Sequence, residues 1–570
     1  MAPTFPIALV LPVARALTPY LQPLTRSWVR AMLFGPLLWW LYTDLAHTWV
    51  GVPTRSSQLY GELPLLVSAY GLGYWALRPG AFRAVVASLP LLELYLLHDA
   101  YYAVFGRVMR VADFRLLVPL AEVMDGVHLA LLLTAMVLPM SLFLWRLNWR
   151  IWPRPLMWLT LTTVLWTVPL WAPSLPLRWV GQSGPVLVPF SDLRNVENHG
   201  RVLMLLRLEA ARQDLLPRLD AERKRHAVSD RNAAVVRTLA PTAKRPNIHL
   251  VVLESFVDPT LFDALVLPVD PAHPRYRALI GARPGLIRSA VFGGKTAQAE
   301  FEILCGVRAW ERYAPSEFLT MTGAPSPCLP RLLEALGYRT VASNAYRPNY
   351  FNATHAYGSL GFTEIHFPKA YAPGRTSYLR LTEDPDWYLF DGELLRQNLD
   401  YVRKIDRPVF NYILGVYGHS PFALEGRHQV FDALPGDPEP SIWRLVNQFH
   451  HRTQAVAAFV DDVFAHDPEA MVIVTSDHLP PLPSGTGGYA TLGYLDGHPE
   501  PLLHNVLLVF RHGRVVSLPT LAHWMLPSLI LDHISEGRFC ADFPCPHRQP
   551  GAAQEDDLAA YTEIMAKASR

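Results

Sequence analysis

The chain has 570 residues, 51% of them hydrophobic and only 18% charged, with 51 basic against 49 acidic side chains. A net charge of +2 excludes a nucleic-acid partner held by phosphate attraction, and 51 prolines spread along the chain exclude a long coiled coil. The charge is unevenly placed: residues 1–175 carry 12 Arg, no Lys and 7 acidic residues, whereas the rest has the charge density of a soluble protein.

Five stretches in that first part are apolar enough to cross a bilayer, which needs about 20 residues. They run from Trp28 to Val50, Tyr60 to Leu77, Ala84 to Phe105, Gly126 to Trp145 and Leu156 to Ala172. Phe5 to Leu21 is apolar too, but three prolines and Arg15 make it an interfacial lead rather than a span. With the N-terminus inside, eight of the twelve arginines fall on the cytoplasmic side, as cytoplasmic loops prefer. Five crossings then put everything after residue 175 outside a bacterial cytoplasmic (inner) membrane, on its periplasmic or extracellular face. All four cysteines, Cys305, Cys328, Cys540 and Cys545, lie in that part, so two disulfides are expected, paired by proximity, with two other connectivities and four buried thiols as the open alternatives. Glu93, His98 and Asp99 sit inside the third apolar stretch, where ionisable groups either pair with one another or serve a function.

Residues 176–245 read as amphipathic linker helices. Arg201 to Ala227 places Leu203, Leu206, Leu208, Leu215, Leu216 and Leu219 on an apolar side, which suits either a helix packed on a neighbour or one resting on the membrane. Residues 246–550 change to an α/β pattern. Ile248–Leu253, Val409–Val416 and Met471–Thr475 are short continuous apolar runs, the mark of strands buried on both faces of a parallel sheet. Each is followed by chemistry: Glu254 and Ser255, then His419 and Ser420, then Asp477 and His478. Sites in open α/β sheets form beyond the carboxyl ends of strands, so these residues are expected at one edge. Residues 551–570 read as a polar tail, a surface helix or a frayed end.

Two carboxylates and an imidazole suit one divalent cation, manganese or zinc before magnesium. Gly293-Gly294-Lys295-Thr296 reads as a turn into a helix with Thr296 at or near its N-cap. A hydroxyl there faces the positive end of the helix dipole and suits attack on a phosphate ester.

Leu253-Glu254-Ser255, Gly294-Lys295-Thr296 with Ala299-Glu300-Phe301, Leu336-Gly337-Tyr338, Asn352 to Phe362, His419-Ser420-Pro421-Phe422 and Ser476-Asp477-His478 together resemble the lipoteichoic acid synthase and phosphoglycerol transferase branch of the alkaline phosphatase and sulfatase superfamily. The resemblance implies a polytopic helical membrane domain ahead of an alkaline phosphatase-like α/β domain. It implies one metal ion, manganese in the best known members, held by Glu254, Thr296, Asp477 and His478. It also implies that Thr296 takes a phosphoglycerol group from an anionic phospholipid as a phosphothreonine and passes it to a glycan acceptor of the periplasm or cell surface. His419, Lys295, Asn344, Arg347 and Phe351 fall where the family contacts substrate. Teichoic acid polymerases carry His, Trp and Arg where this chain has Asn344, Phe351 and Ala353, so the headgroup geometry is expected to differ, with Arg347 or His355 as replacement contacts.

Three rivals are weighed on the same residues. A phosphoethanolamine transferase shares the threonine nucleophile and the anchor; Glu300 and the His419 motif favour phosphoglycerol. A non-catalytic envelope scaffold has no use for a buried charged cluster. A sulfatase in the strict sense needs a Cys or Ser in a Cys/Ser-x-Pro/Ala-x-Arg signature, which Thr296-Ala297-Gln298 lacks.

Overall fold

The structure is a computed structural model. It describes residues 33–48, 52, 56–59, 61–105, 108–116, 126–182, 192–225, 231–241 and 244–569, apart from 314–315, 382–387, 425, 433–441 and 550–556. The Phe5–Leu21 lead lies outside these residues. The chain forms two compact units, one built from residues up to Asp214 and one from Leu215 to Arg570.

In the first unit, helices occupy all five expected apolar stretches: residues 33–48, Glu62–Ala76, Arg83–Phe105, Gly126–Arg146 and Pro153–Trp171. Only Leu129–Arg146 is by itself long and apolar enough to cross a membrane; Pro153–Trp171 with Ser174–Val180, bent by 95°, makes a second if taken as one span. Among the described residues the number of candidate spans is therefore one or two rather than five. Glu62–Ala76 has only 15 residues, about 22 Å of helix, and Arg83–Phe105 carries Arg83, Glu93 and Asp99. Leu131, Leu133, Val137, Leu138 and Trp145 all point outward from Gly126–Arg146.

The ionisable groups of the third stretch are largely accounted for by pairing. Asp99 accepts Arg201 Nε at 2.6 Å and the Tyr42 hydroxyl at 2.9 Å, and His98 Nδ1 lies 2.9 Å from the same carboxylate. Glu62 accepts the first three backbone N–H groups of the helix Arg201–Arg225, from Arg201, Val202 and Leu203, so a carboxylate satisfies donors that a helix start leaves unmade. Gly200 makes this approach feasible: a Cβ there would lie 1.7 Å from Glu62 Oε2. Leu203 and Leu206 are buried, so this end of the helix follows the packed reading; Leu215, Leu216 and Leu219 lie outside the described side chains. Asp99→Ala would strand a buried guanidinium, with an expected cost of about 3–5 kcal/mol, whereas Asp99→Leu with Arg201→Met should cost much less. Unfolding of the detergent-solubilised chain checks both; equal losses would mean that the pair is not the source.

In the second unit the strands are β1 (Ile248–Leu253), β2 (Gly285–Arg288), β3 (Arg339–Asn344), β4 (Glu364–His366), β5 (Val409–Gly415), β6 (Met471–Ser476), β7 (His504–Arg511), β8 (Arg514–Val515) and β9 (Leu521–Ala522). They form one mixed sheet in the order β4-β3-β5-β1-β6-β7-β2-β9, with β8 on β7. β4, β3, β5, β1 and β6 are parallel, and β7 runs antiparallel to β6 and β2. β1, β5 and β6 are buried at every position, which is why their sequences are mostly apolar, and the two polar residues inside β1 and β5, His249 and Asn411, bond to each other at 3.0 Å. In register, Leu253 sits opposite Gly415 and Ser476, so the residues that follow the three strands emerge side by side.

Cys305 pairs with Cys328 and Cys540 with Cys545, as proximity suggested. The C-terminal end departs from the expected polar tail. Asp557–Ala568 is a helix whose Tyr561, Ile564 and Met565 are fully buried in the main core with Phe301 and Phe318. The i, i+3, i+4 spacing of those residues makes an apolar stripe, which outweighs the polar average of the segment.

Candidate active site

Glu254 and Asp477 follow β1 and β6 directly. Glu254 Oε1 lies 3.6 Å from His478 Nε2, and Asp477 Oδ2 lies 3.2 Å from the same nitrogen. All three side chains are buried, and one ligand atom from each falls within 4.8 Å of the others. Backbone contacts orient the group. Asp477 Oδ1 accepts the N–H groups of Ser255 and His478, at 2.9 and 2.7 Å. Ser255 holds a left-handed φ of 54°, with its hydroxyl on Glu254 Oε1 at 2.7 Å. His478 Nδ1 donates to the Leu479 carbonyl at 3.0 Å, which leaves the lone pair of Nε2 facing two carboxylates.

That arrangement is repulsive unless a cation joins it. Asp477 Oδ2 and His478 Nε2 are buried with no hydrogen-bond partner, and a divalent ion would satisfy both. Burial and the Glu254 carboxylate push the Asp477 carboxyl up to about 7. Burial also acts to raise Glu254, but the neighbouring His478 and His419 and the Ser255 hydroxyl outweigh it and hold that carboxyl below its usual value.

Thr296 is the first residue of the helix Thr296–Cys305, and its Oγ1 donates to Glu254 Oε2 at 3.0 Å. It is half-exposed, while Glu254, Asp477 and His478 behind it are buried. The cap itself is Lys295, in a left-handed conformation with φ 64°, so Thr296 stands beside the N-cap. The turn before it is pinned to the metal loop by Gly293 N–H donating to Leu479 O at 3.0 Å. Lys295 is buried and its Nζ is 2.9 Å from Glu311, so its charge is committed within the protein.

His419 follows β5, its Nδ1 donating to Ser420 O at 2.8 Å, which leaves Nε2 able to take or give a proton. Its ring lies 5.6 Å from that of Tyr388. Asn344, at the end of β3, donates to the Tyr357 hydroxyl at 2.9 Å and accepts Tyr346 N–H at 2.8 Å, so both ends of its amide hold the protein together. Arg347 is exposed, with its guanidinium 5.8 Å from the Tyr346 ring and 5.6 Å from the Tyr371 ring. Phe351 is half-buried at a positive φ of 47° and packs 4.8 Å from Tyr350. His355 is exposed and bonded to Asn352 at 2.9 Å. The structure thus gathers Glu254, Thr296, Asp477, His478 and His419, and sets Arg347 and Phe351 among tyrosines linked to His419 through Tyr388 and Tyr346.

Arg452 was not foreseen. Buried in the helix Ile442–His466, it donates to the Glu254 carbonyl at 2.8 Å and to Asp391 at 2.6 Å, so a buried ion pair fixes the backbone of the first ligand. Glu300, one turn on from Thr296, accepts the Tyr357 and Tyr412 hydroxyls at 2.5 and 2.7 Å, and burial pushes it up to about 7. Glu302 on the same helix is pushed up to about 8 by burial. The folded chain therefore keeps a proton on Glu302 that the unfolded chain releases above about 4.5, and stability drains away between those values as pH rises. Glu302→Gln is expected to raise the unfolding midpoint at pH 8.5, by a few kcal/mol in free energy, and to leave it unchanged at pH 4. A gain that is the same at both pH values would refute a buried proton.

Residues 246–514 match the sulfatase family model. The C-terminal domain belongs to the sulfatase and alkaline phosphatase superfamily. The chain is 26% identical, over 262 residues, to a Rhizobium meliloti (strain 1021) protein described as a cyclic beta-1,2-glucan modification protein, covering 44% of this chain and 38% of that one. Among solved structures, the phosphoglycerol transferase GacH of Streptococcus pyogenes, in complex with sn-glycerol-1-phosphate, matches at 14% identity and a TM-score of 0.43, over 61% of this chain and 92% of that one. The lipoteichoic acid synthase LtaP of Listeria monocytogenes matches at 17% identity and 0.41, over 53% and 78%. The chain spans 38% and 40% of the lengths of the curated relatives it matches.

Proposed function

We propose that this chain is a metal-dependent phosphoglycerol transferase, anchored in a bacterial inner membrane by its N-terminal helical unit with its catalytic domain outside. It would move glycerol phosphate from phosphatidylglycerol to an envelope glycan through a phosphothreonine on Thr296. One observation carries the chemistry: a half-exposed hydroxyl at a helix start, bonded to Glu254 in a buried Glu-Asp-His cluster whose facing atoms Asp477 Oδ2 and His478 Nε2 have no partner. Glu254, Asp477, His478 and Thr296 would hold one divalent cation, manganese first, which when bound lowers the hydroxyl pKa and offsets phosphoryl charge.

The residues of the chain divide the remaining work. Thr296 Oγ1 attacks phosphorus, its proton passing to Glu254 Oε2, and the bond from phosphorus to the diacylglycerol oxygen breaks. His419 Nε2 gives the departing oxygen its proton. In the second half, His419 takes the proton of the acceptor hydroxyl, that oxygen attacks phosphorus, and the bond to Thr296 breaks as Thr296 regains its hydrogen. The N-terminal N–H groups of the helix Thr296–Cys305 face the phosphoryl oxygens. Arg452 and Ser255 position Glu254, and Lys295 positions the turn. The printed name of the Rhizobium meliloti relative supports a glucan as acceptor.

Asn344 and Ala353 leave the substrate side without the imidazole and cation of the polymerising enzymes, which suits a donor headgroup of another charge, phosphoethanolamine. Incubating the full chain and manganese with phosphatidylglycerol labelled in its headgroup should leave label on the protein. Label from phosphatidylethanolamine alone would replace the donor, and label from neither would favour a non-catalytic scaffold.

A further inference from the structure

At the other end of the sheet lies a groove of about 860 Å³. Its walls are Asn247, Pro408 and Glu469, just before β1, β5 and β6, and Arg511 at the end of the antiparallel β7. Glu254, His419 and Asp477 follow the opposite ends of β1, β5 and β6, so at about 3.3 Å per residue roughly 20 Å of sheet separates the groove from the nucleophile.

The groove is lined by five cations and five carboxylates, which do not pair one to one. Three of its carboxylates are engaged: Glu536 with Lys244 at 2.7 Å, Asp532 with Arg548 at 2.6 Å, and Asp467 with the Asn247 amide at 2.8 Å. Glu469 lies 3.5 Å from His512, and Asp406 is exposed. Three guanidiniums have no carboxylate partner among the described residues. Arg245 and Arg407 donate to the consecutive main-chain carbonyls of Leu336 and Gly337, at 2.9 and 3.2 Å, which brings the two side chains together. Arg511 has a buried Nε with no hydrogen-bond partner; its nearest counter-charge, Asp532, is already committed to Arg548. Beside it His533 Nε2 is also buried and unpartnered, and burial together with Arg511 and His512 holds that imidazole neutral, down to about 4.

An unpartnered buried N–H of a cation costs free energy that a bound oxyanion returns, and planar guanidiniums match phosphate oxygens in pairs. We propose that this groove is a second anion site, which holds a phosphate ester on Arg511, Arg407 and Arg245 with His533 beside it. The site is separate from the Thr296 centre and does not depend on the reaction assigned to that centre.

The test is equilibrium dialysis of labelled inorganic phosphate against the full detergent-solubilised chain. Wild type should bind one phosphate more per chain than Arg407→Ala/Arg511→Ala, and Arg407→Ala alone, at an exposed position that folding does not need, should weaken that site at least tenfold. The same difference should persist in a His419→Ala background, which separates it from the catalytic centre. Equal stoichiometry and affinity in wild type and both groove variants would overturn the proposal. Competition distinguishes the source of the ester: displacement by soluble glycerol phosphate marks a soluble ligand, and displacement by phosphatidylglycerol vesicles marks a lipid headgroup. Displacement by neither overturns the assignment to a phosphate ester.

Discussion

Thr296→Ala should abolish covalent labelling by donor lipid and lower turnover by about 10⁴-fold or more, the scale on which removal of a nucleophile acts. The argument rests on what replaces it. Thr296 is half-exposed, whereas Glu254, Asp477 and His478 behind it are buried, so no second oxygen nucleophile of the cluster stands at the surface. Ser255 Oγ is closest in kind, but it is buried and donates to Glu254 Oε1 at 2.7 Å, on the far side of that carboxylate from Thr296. Folding should be spared. Thr296 opens its helix but does not cap it with its side chain, and alanine favours helix, so the unfolding free energy should move by less than about 1 kcal/mol. Thr296→Ser keeps the oxygen and should keep labelling at a reduced rate. Intact-mass measurement after incubation with donor reads all three proteins. A labelled alanine variant would place the covalent intermediate on another residue.

The parts of this molecule that were legible in the sequence share a physical cause. β1, β5 and β6 are covered on both faces, so most of their residues are apolar, and the first ionisable residue after β1 and after β6 is a site residue; Glu254 and Asp477 could be found because a charge cannot stay within a doubly covered strand unpaired. Thr296 was legible because two glycines with positive φ, Gly293 and Gly294, must precede so abrupt a helix start. Arg452 had no such marker. It sits in a 25-residue amphipathic helix where an arginine reads as surface, as the exposed Arg444 of the same helix is, and the distant Asp391 makes its burial tolerable. The membrane unit shows the opposite failure. Composition located the five helices correctly, but crossing a bilayer depends on length and on where charges lie, and Glu62, Asp99 and Arg201 were spent on a buried network that a hydropathy window counts only as noise. The C-terminal helix is hard to see in the sequence because the polar run Gln554-Glu555-Asp556-Asp557 leads into it and masks the stripe of Tyr561, Ile564 and Met565.

Asp477→Asn should have opposite effects on the metal-free and metal-loaded protein. The carboxylate has two distinct oxygens. Oδ1 accepts the backbone N–H groups of Ser255 and His478, and the amide oxygen of asparagine can keep both bonds. Oδ2 is buried without a partner, 3.2 Å from His478 Nε2. Without an ion, replacing that oxygen with an NH₂ group removes one of two neighbouring negative charges and supplies a donor to the exposed lone pair of His478. The metal-free variant should therefore unfold later than metal-free wild type. With manganese the order should invert, because an amide nitrogen is no ligand for a hard cation, and the wild type alone gains the stabilisation that tight binding confers, about 2.7 kcal/mol at a hundredfold excess over Kd. His478→Ala, which leaves two carboxylates with nothing between them, should lose the ion and also destabilise the metal-free form. Elemental analysis should accordingly find one divalent ion per wild-type chain and none in either variant, with unfolding midpoints crossing between chelated and loaded samples for Asp477→Asn. Midpoints that shift in parallel on adding metal would mean that the ion binds elsewhere and that the Glu254, Asp477 and His478 cluster is not its site.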